Sequence, residues 1–268
     1  MNNLKVFISV DMEGITGVTK WTETNVGQHD YEYYRTLMTQ EANAAIEGAI
    51  AAGATEIVVR DAHDSGCNLI PDKLHRYAKL IRSWSDGPLS MMEGIDRGFD
   101  AALLIGYHAK ANTPNAVLKH TMSLCISDLR VNGVSLSEGA WNALIAGYYG
   151  VPIAFVSGDE AVCDYSRELL GDIETVAVKE GLGVATLNLH PSVAQEQIRQ
   201  GVTKALSQVD KYKPFTFAPE YFLEITFTQE DRAARGQWYP GAERVDANTV
   251  GFRSSDFFEC MRFFHLVG

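Results

Sequence analysis

The chain has 268 residues, 46% of them hydrophobic, and a formal net charge of -11; its mean hydropathy is -0.10. That length buries a sizeable core in one large domain or two modest ones, and the negative charge disfavours nucleic acid and anionic membranes as partners. No apolar run approaches the ~20 residues needed to span a bilayer, and Cys67, Cys125, Cys163 and Cys260 form no C-x-x-C pair, against a disulfide framework or a thiolate zinc site.

The segment Met1-Asn2-Asn3-Leu4-Lys5 lacks the apolar stretch and cleavage site of a leader, so the expected location is cytoplasmic. Leu4 to Val10 reads as a strand. Tyr31 to Ala52 reads as a helix, with Leu37, Ala42, Ala45, Ile46, Ala49 and Ile50 at helical spacing and Gly53 at the C′ position. Its Glu41 and Asn43 read as a solvated or capping polar face. Thr55 to Val59 is a second strand, running into Arg60-Asp61-Ala62-His63. Ala78 to Ile81 is a short one, and Ala101 to Ile105 a clearer one that ends at Gly106-Tyr107-His108. His120 to Ile126 is expected to be a further strand, and Asn132-Gly133 marks a hairpin turn over residues 130–135. Glu138 to Tyr149 is a helix and Pro152 to Val156 a strand, after which Asp159-Glu160 opens the next helix. Pro191 to Val209 is an amphipathic helix and Lys211 to Pro219 is linker-like. Tyr221 to Thr228 and Thr249 to Arg253 are strands flanking a short helix at Gln229 to Arg235. A last helix runs through Phe264, capped by Ser254 or Ser255.

Strands separated by helices imply an α/β fold: a mostly parallel sheet with helices on both faces, with a smaller α+β second domain. Residues 1–210 are assigned to the first and 211–268 to the second. In such sheets ligands bind beyond the carboxyl ends of the strands. Asp11 with Glu13, His63, and His108 all stand at such ends. Asp11 and Glu13 flank one residue, so their side chains leave the strand on the same side, and a metal ion or a shared proton relieves their repulsion; the three histidines favour metal.

Asp11, Glu13, His63, His108 and Glu138 form a candidate metal set. Mixed imidazole and carboxylate donors suit zinc and other divalent first-row metals, and five of them suit two ions bridged by one carboxylate. Each residue also has a plain alternative. The acids can cap the next segment, His63 can be a loop histidine and His108 a core one. Ser135-Leu136-Ser137-Glu138 matches a capping box. His120 reads either as a structural histidine or as an acid, base or nucleophile beside the metals. His29, His75, His190 and His265 read as surface or structural residues.

These blocks resemble the zinc D-aminopeptidases of the bacterial dipeptide-transport operon. The likeness rests on Ser9-Val10-Asp11-Met12-Glu13-Gly14, Asp61-Ala62-His63, Gly106-Tyr107-His108-Ala109 with Thr113-Pro114, His120-Thr121-Met122, and Glu138-Gly139 with Asn142-Ala143. Ala146-Gly147-Tyr148-Tyr149, Val151-Pro152 and Gly158-Asp159 follow in the family's order. The resemblance implies two zinc ions per subunit, bridged by Asp11, with Glu13 and His108 completing one sphere and His63 and Glu138 the other. It gives His120 the family's catalytic position, described there as a nucleophile, although Lys119 stands where a small polar neighbour is expected. It further implies a ring-stacked homodecamer with an enclosed chamber, and removal of N-terminal D-residues, notably D-alanine, from short peptide substrates. On chemical grounds His120 is better suited to general base or acid catalysis. A dinuclear phosphoesterase, or a catalytically silent metal or peptide binder, is the alternative function.

Overall fold

The computed structural model describes residues 4–268; Met1 to Asn3, part of the leader argument, lie outside the described residues. In chain order the elements are β1 (Leu4–Val10), α1 (Tyr31–Ala51), β2 (Ala54–Asp61), β3 (Lys79–Ile81), β4 (Ala101–Tyr107), β5 (Ile126–Val131), β6 (Val134–Ser135), α2 (Glu138–Tyr148) and β7 (Ile153–Asp159). Then come α3 (Glu160–Leu170), β8 (Glu174–Leu182), β9 (Ala185–Asn188), α4 (Pro191–Leu206), β10 (Tyr221–Phe227), α5 (Glu230–Gly236), β11 (Ala242–Arg244), β12 (Thr249–Ser254) and α6 (Phe257–Val267). No helix among the described residues is long and apolar enough to cross a membrane.

Seven strands form the larger sheet in the order β3-β2-β1-β4-β7-β8-β9, parallel throughout except for the last pair. Its central strands β4 and β7 are buried along their whole length, as a sheet covered on both faces requires. Helices α1 and α4 pack together, so closely at Gly48 that an added Cβ would lie 2.6 Å from the Arg199 carbonyl oxygen. Helices α2 and α3 form the other pair.

The second sheet is antiparallel, in the order β11-β12-β10-β5-β6. Its C-terminal strands therefore pair with residues 126–135 as well as with each other, so this sheet draws on both sides of residue 210. Helices α5 and α6 cover it, and Trp141 of α2 packs its indole against Phe257 and Phe264 of α6. That buried aromatic cluster gives the two sheets one continuous core.

The Asn132-Gly133 hairpin forms, with φ of 52° and 81° at the two turn residues. The expected strand from His120 does not. Leu118 and Met122 adopt left-handed backbone (φ 52° and 61°), so the chain twists out of extended geometry and becomes regular only at Ile126. The capping-box reading is also corrected. Ser137 caps α2 by accepting a hydrogen bond from Ala140 N, which leaves the Glu138 side chain free to turn elsewhere. The last helix is capped by Asp256, whose carboxylate takes the Phe258 amide; Ser254 Oγ instead accepts from Asp256 N.

Candidate metal centre and catalytic cleft

Parallel strands β2, β1 and β4 lie side by side, and the segments leaving their carboxyl ends converge. Asp11 N donates to Ile105 O and Gly14 N to Gly106 O, both at 2.8 Å, which ties the end of β1 to the end of β4. Gly14 comes so close that a Cβ there would sit 1.8 Å from the Tyr107 carbonyl oxygen, so glycine is required. On the other side Ala62 N donates to Val10 O at 2.9 Å and brings His63 alongside. Asp159, at the end of β7, caps α3 through Val162 N, as expected, and also holds Ala109 N at 2.8 Å beside His108.

The structure brings all six sequence-selected side chains to one place. Asp11, Glu13, His63, His108 and Glu138 are buried, and His120 is nearly so. They form two compact donor groups, Asp11 with Glu13 and His63, and His108 with His120 and Glu138. Asp11 spans them: one carboxylate oxygen lies 3.3 Å from His63 Nδ1 and the other 3.5 Å from His108 Nε2. Glu13 Oε2 is 3.0 Å from His63 Nδ1, and Glu138 Oε1 is 3.4 Å from His108 Nε2 and 3.2 Å from His120 Nε2. The grouping thus pairs Glu13 with His63 and Glu138 with His108. The resemblance implies the opposite partition of those two acids.

Each histidine uses one ring nitrogen on a main-chain carbonyl. His63 Nε2 donates to Thr24 O at 3.0 Å, His108 Nδ1 to Ala109 O at 2.9 Å, and His120 Nδ1 to Leu118 O at 2.8 Å. Such a bond fixes the ring's orientation and aims its other nitrogen inward. Asp11 Oδ2, Glu13 Oε2 and His108 Nε2 are buried yet make no directed hydrogen bond. Buried polar atoms left that way are rare and require a partner.

The electrostatics agree. Burial, reinforced by the neighbouring Glu13, pushes the Asp11 carboxyl up to about 8. Burial also opposes ionisation of Glu13, but His63, His108 and His120 outweigh it and hold Glu13 well below the usual carboxylate range. Burial disfavours the charged form of both imidazoles too. Glu13 and Asp11 overcome it at His63, raising it well above its ordinary value, and chiefly Glu138 overcomes it at His108, reaching about 10. Protons thus sit where a divalent ion would, and metal binding must displace them.

A cleft of about 480 Å³ opens over these groups. Trp21, Trp84, Met91, Met122 and Leu124 supply apolar walls, with Asp64 and Asp86 also in the lining. Trp21 meets the His120 ring edge-on at 5.4 Å, and His108 stacks on His120 at 4.2 Å. Met122 N donates to Glu138 Oε1 at 2.6 Å, so the twist at Met122 orients a metal-set carboxylate. Beneath the site, Tyr107 OH bonds to Ser9 Oγ at 2.8 Å and takes a hydrogen bond from Asn142 Nδ2 at 2.9 Å.

Two further residues escaped sequence reasoning. His265 lines the cleft, although nothing in its local sequence distinguishes it. Glu41 is fully buried and accepts the Thr16 amide at 2.9 Å, while Asn43 bonds Lys73 O and His75 N. The two polar residues expected on a solvated or capping face of α1 instead hold other segments, Glu41 the loop after β1 and Asn43 the segment between β2 and β3. Burial pushes Glu41 up to about 7 from 4.5, against the pull of Thr16 N and Lys179. The unfolded chain ionises this group first, so its stabilising effect is full below about pH 4.5 and is lost as pH rises toward 7. Glu41→Gln is expected to flatten urea-unfolding stability across that window, removing a decline of about 3 kcal/mol at about 1.36 kcal/mol per pKa unit.

Comparison with known proteins bears on the whole chain. Its sequence matches the profile of the peptidase M55 family, described as D-aminopeptidase, over residues 4–266. It is 37% identical over 258 residues to a D-aminopeptidase of Bacillus subtilis (strain 168), covering 96% of this chain and 93% of that protein. Its fold superposes with a TM-score of 0.94 and 36% identity on the Zn-dependent D-aminopeptidase DppA from Bacillus subtilis, described as a self-compartmentalizing protease, over 98% of this chain and 96% of that one. An ordered set of strand-end acids and histidines, a converged donor cluster and likeness along the full length have one common account: the chain belongs to the peptidase M55 family of D-aminopeptidases.

Proposed function

We propose that this protein is a zinc-dependent aminopeptidase that removes the N-terminal residue, a D-amino acid such as D-alanine, from short peptides. In this reading Asp11, Glu13, His63, His108 and Glu138 hold two zinc ions, with Asp11 serving both. The supporting observation is the orientation of His63 and His108. Each gives one nitrogen to a carbonyl and turns the other toward a buried carboxylate oxygen, Glu13 Oε2 for His63 and Asp11 Oδ2 for His108, that has no directed bond of its own. That donor chemistry fits zinc.

Zinc bound there supplies Lewis-acid polarisation of the scissile carbonyl. The chain's own residues do the rest. The indoles of Trp21 and Trp84 and the side chains of Met91 and Met122 shield the reacting bond from bulk water. Asp64 and Asp86 favour a peptide's cationic amino terminus over its carboxylate. His120, with Nδ1 bonded to Leu118 O, keeps Nε2 to take a proton from the attacking water and return it to the leaving amine. No Lys or Arg among the described residues lines the cleft; Lys110 and Lys119 bond to Ser135 Oγ and Thr113 O, and Arg60 lies under Trp84. Beyond the metal ions, a phosphate ester would find no Lys or Arg there to bind its remaining charge, which favours the peptide.

The likeness to a self-compartmentalizing protease supports a homo-oligomer, a decamer by the family resemblance, and Leu182, Val184 and Leu187 expose an apolar surface on the β8–β9 hairpin for such contacts. Four free cysteines fit a reducing compartment, the cytoplasm. One experiment tests the reading. Zinc-loaded protein, its mass measured by light scattering, is assayed against D-alanyl peptides, their L-alanyl counterparts and p-nitrophenyl phosphate. The expected result is an oligomer that releases D-alanine, stops with chelator and resumes with zinc. Faster turnover of the phosphate ester, or no turnover of any peptide, overturns the activity; a monomer removes the assembly.

A further inference from the structure

Glu13 and Trp21 stand on a single loop that leaves β1, and it is fastened from across the sheet. Lys179 on β8 is 3% exposed. Its ammonium donates to the carbonyl of Glu13, to Val18 O at 2.6 Å and to Ile15 O at 3.3 Å. Three carbonyls match the three donors of an ammonium. Three further polar groups of the loop are also taken. Thr16 N goes to Glu41, Thr16 Oγ1 to Leu189 O at 2.7 Å, and Gly17 N to Asn188 Oδ1 at 2.9 Å. Carbonyls thus turn toward one cation, while amides and a hydroxyl turn toward acceptors on α1 and on the segment after β8.

A buried lysine is costly, and desolvation does lower its pKa, with Asp159, Glu41, Glu13 and Glu23 as the offsetting charges. An apolar side chain would fill the same space without that cost. What the apolar residue could not do is gather three carbonyls that otherwise repel. Those carbonyls belong to the stretch that aims Glu13 at His63 and leads on to Trp21 at the edge of His120.

We propose that Lys179 is a positioning residue for the metal centre: its ammonium sets the backbone of the 13–18 loop, and through it the Glu13 carboxylate and the Trp21 indole. This rests on the metal-dependent reading above. The test compares wild type, Lys179→Met, Lys179→Gln and the double variant Lys179→Met with Glu41→Gln. Zinc dissociation constants are measured by chelator competition, kcat and KM on a D-alanyl peptide, and unfolding by urea. Lys179→Met is expected to bind zinc about 10- to 100-fold more weakly, the range seen when a ligand's support is removed. Its kcat falls while KM stays within about threefold, because the loop orients reacting groups rather than the peptide. Lys179→Gln, which keeps two N–H donors, recovers part of the affinity and serves if Lys179→Met does not fold.

The double variant separates positioning from folding. It removes one of the acids left facing an emptied charge, so stability is expected to return in part while zinc affinity stays low. Recovery of both together, or wild-type zinc affinity and kcat in Lys179→Gln and in folded Lys179→Met, overturns the proposal. Absence of zinc binding by wild-type protein is a different result: it removes the metal-dependent reading itself.

Discussion

Asp11→Asn is expected to lower kcat/KM at least about 10³-fold and to reduce zinc from two ions per chain to one or none, without unfolding the protein. A loss of that size is about 4 kcal/mol of transition-state stabilisation at about 1.4 kcal/mol per tenfold. Asp11 is singled out because its two oxygens face different donor groups, at 3.3 Å from His63 and 3.5 Å from His108. Glu13 and Glu138 each serve one group. The amide keeps the size of the side chain, and its oxygen still accepts Met12 N, which Asp11 Oδ1 holds at 2.8 Å. Asparagine oxygen is a neutral donor, and one amide cannot bridge two cations as a carboxylate does. Stability runs the other way. Burial and Glu13 push the Asp11 carboxyl up to about 8, so near neutral pH the metal-free fold carries an acid it must keep protonated. The unfolded chain ionises it from about 3.8 upward, and stability contributed by the protonated form drains away between those values. Metal-free Asp11→Asn should therefore unfold in urea at the same concentration as wild type or higher near pH 7. Two zinc ions and more than a tenth of wild-type activity in this variant would remove the bridging role.

The sheet and one side of the centre were legible because they follow from local pattern. β1, β2 and β4 are short apolar runs that end in polar residues, and parallel connectivity places those ends together. That is why Asp11, Glu13, His63 and His108 are identifiable from three distant stretches. Glu138 was harder, since Ser135 three residues before it suggested a cap; only its tertiary contacts, with Met122 N, His108 and His120, reveal where its carboxylate goes. The segment from His120 has a β-like composition but left-handed backbone at Leu118 and Met122, imposed by contacts made elsewhere. Glu41 and Lys179 carry no local mark at all. One sits within a helix pattern and the other in a strand, and their burial depends on the loop folded between them. The second sheet shows the same limit at larger scale. β10 pairs with β5 almost a hundred residues earlier, a non-local pairing that no window along the chain contains.

His120→Ala is expected to lower kcat about 10²- to 10⁴-fold while both zinc ions remain bound. The neighbouring geometry sharpens this. His120 belongs to the same donor group as His108 and Glu138, its ring stacked on His108 and its Nε2 3.2 Å from Glu138 Oε1. By distance alone it is as well placed to be a ligand as His108. Two features separate them. His120 is 14% exposed at its side chain where His108 is 1%, and His120, not His108, lines the cleft. A histidine that must exchange protons with substrate needs that access, whereas a ligand does not. If His120 is a ligand, the alanine variant loses zinc together with activity. If it is a proton carrier, zinc content stays at two while kcat falls and KM changes little. Rapid acid quench followed by mass spectrometry then distinguishes carrier from nucleophile. A base leaves the imidazole unmodified during turnover, and an acyl group recovered on His120 would reverse the assignment. The Leu118 carbonyl accepts from Nδ1 at 2.8 Å and so turns Nε2 toward the acidic cluster. Base and nucleophile would both use that nitrogen, so the quench experiment decides between them.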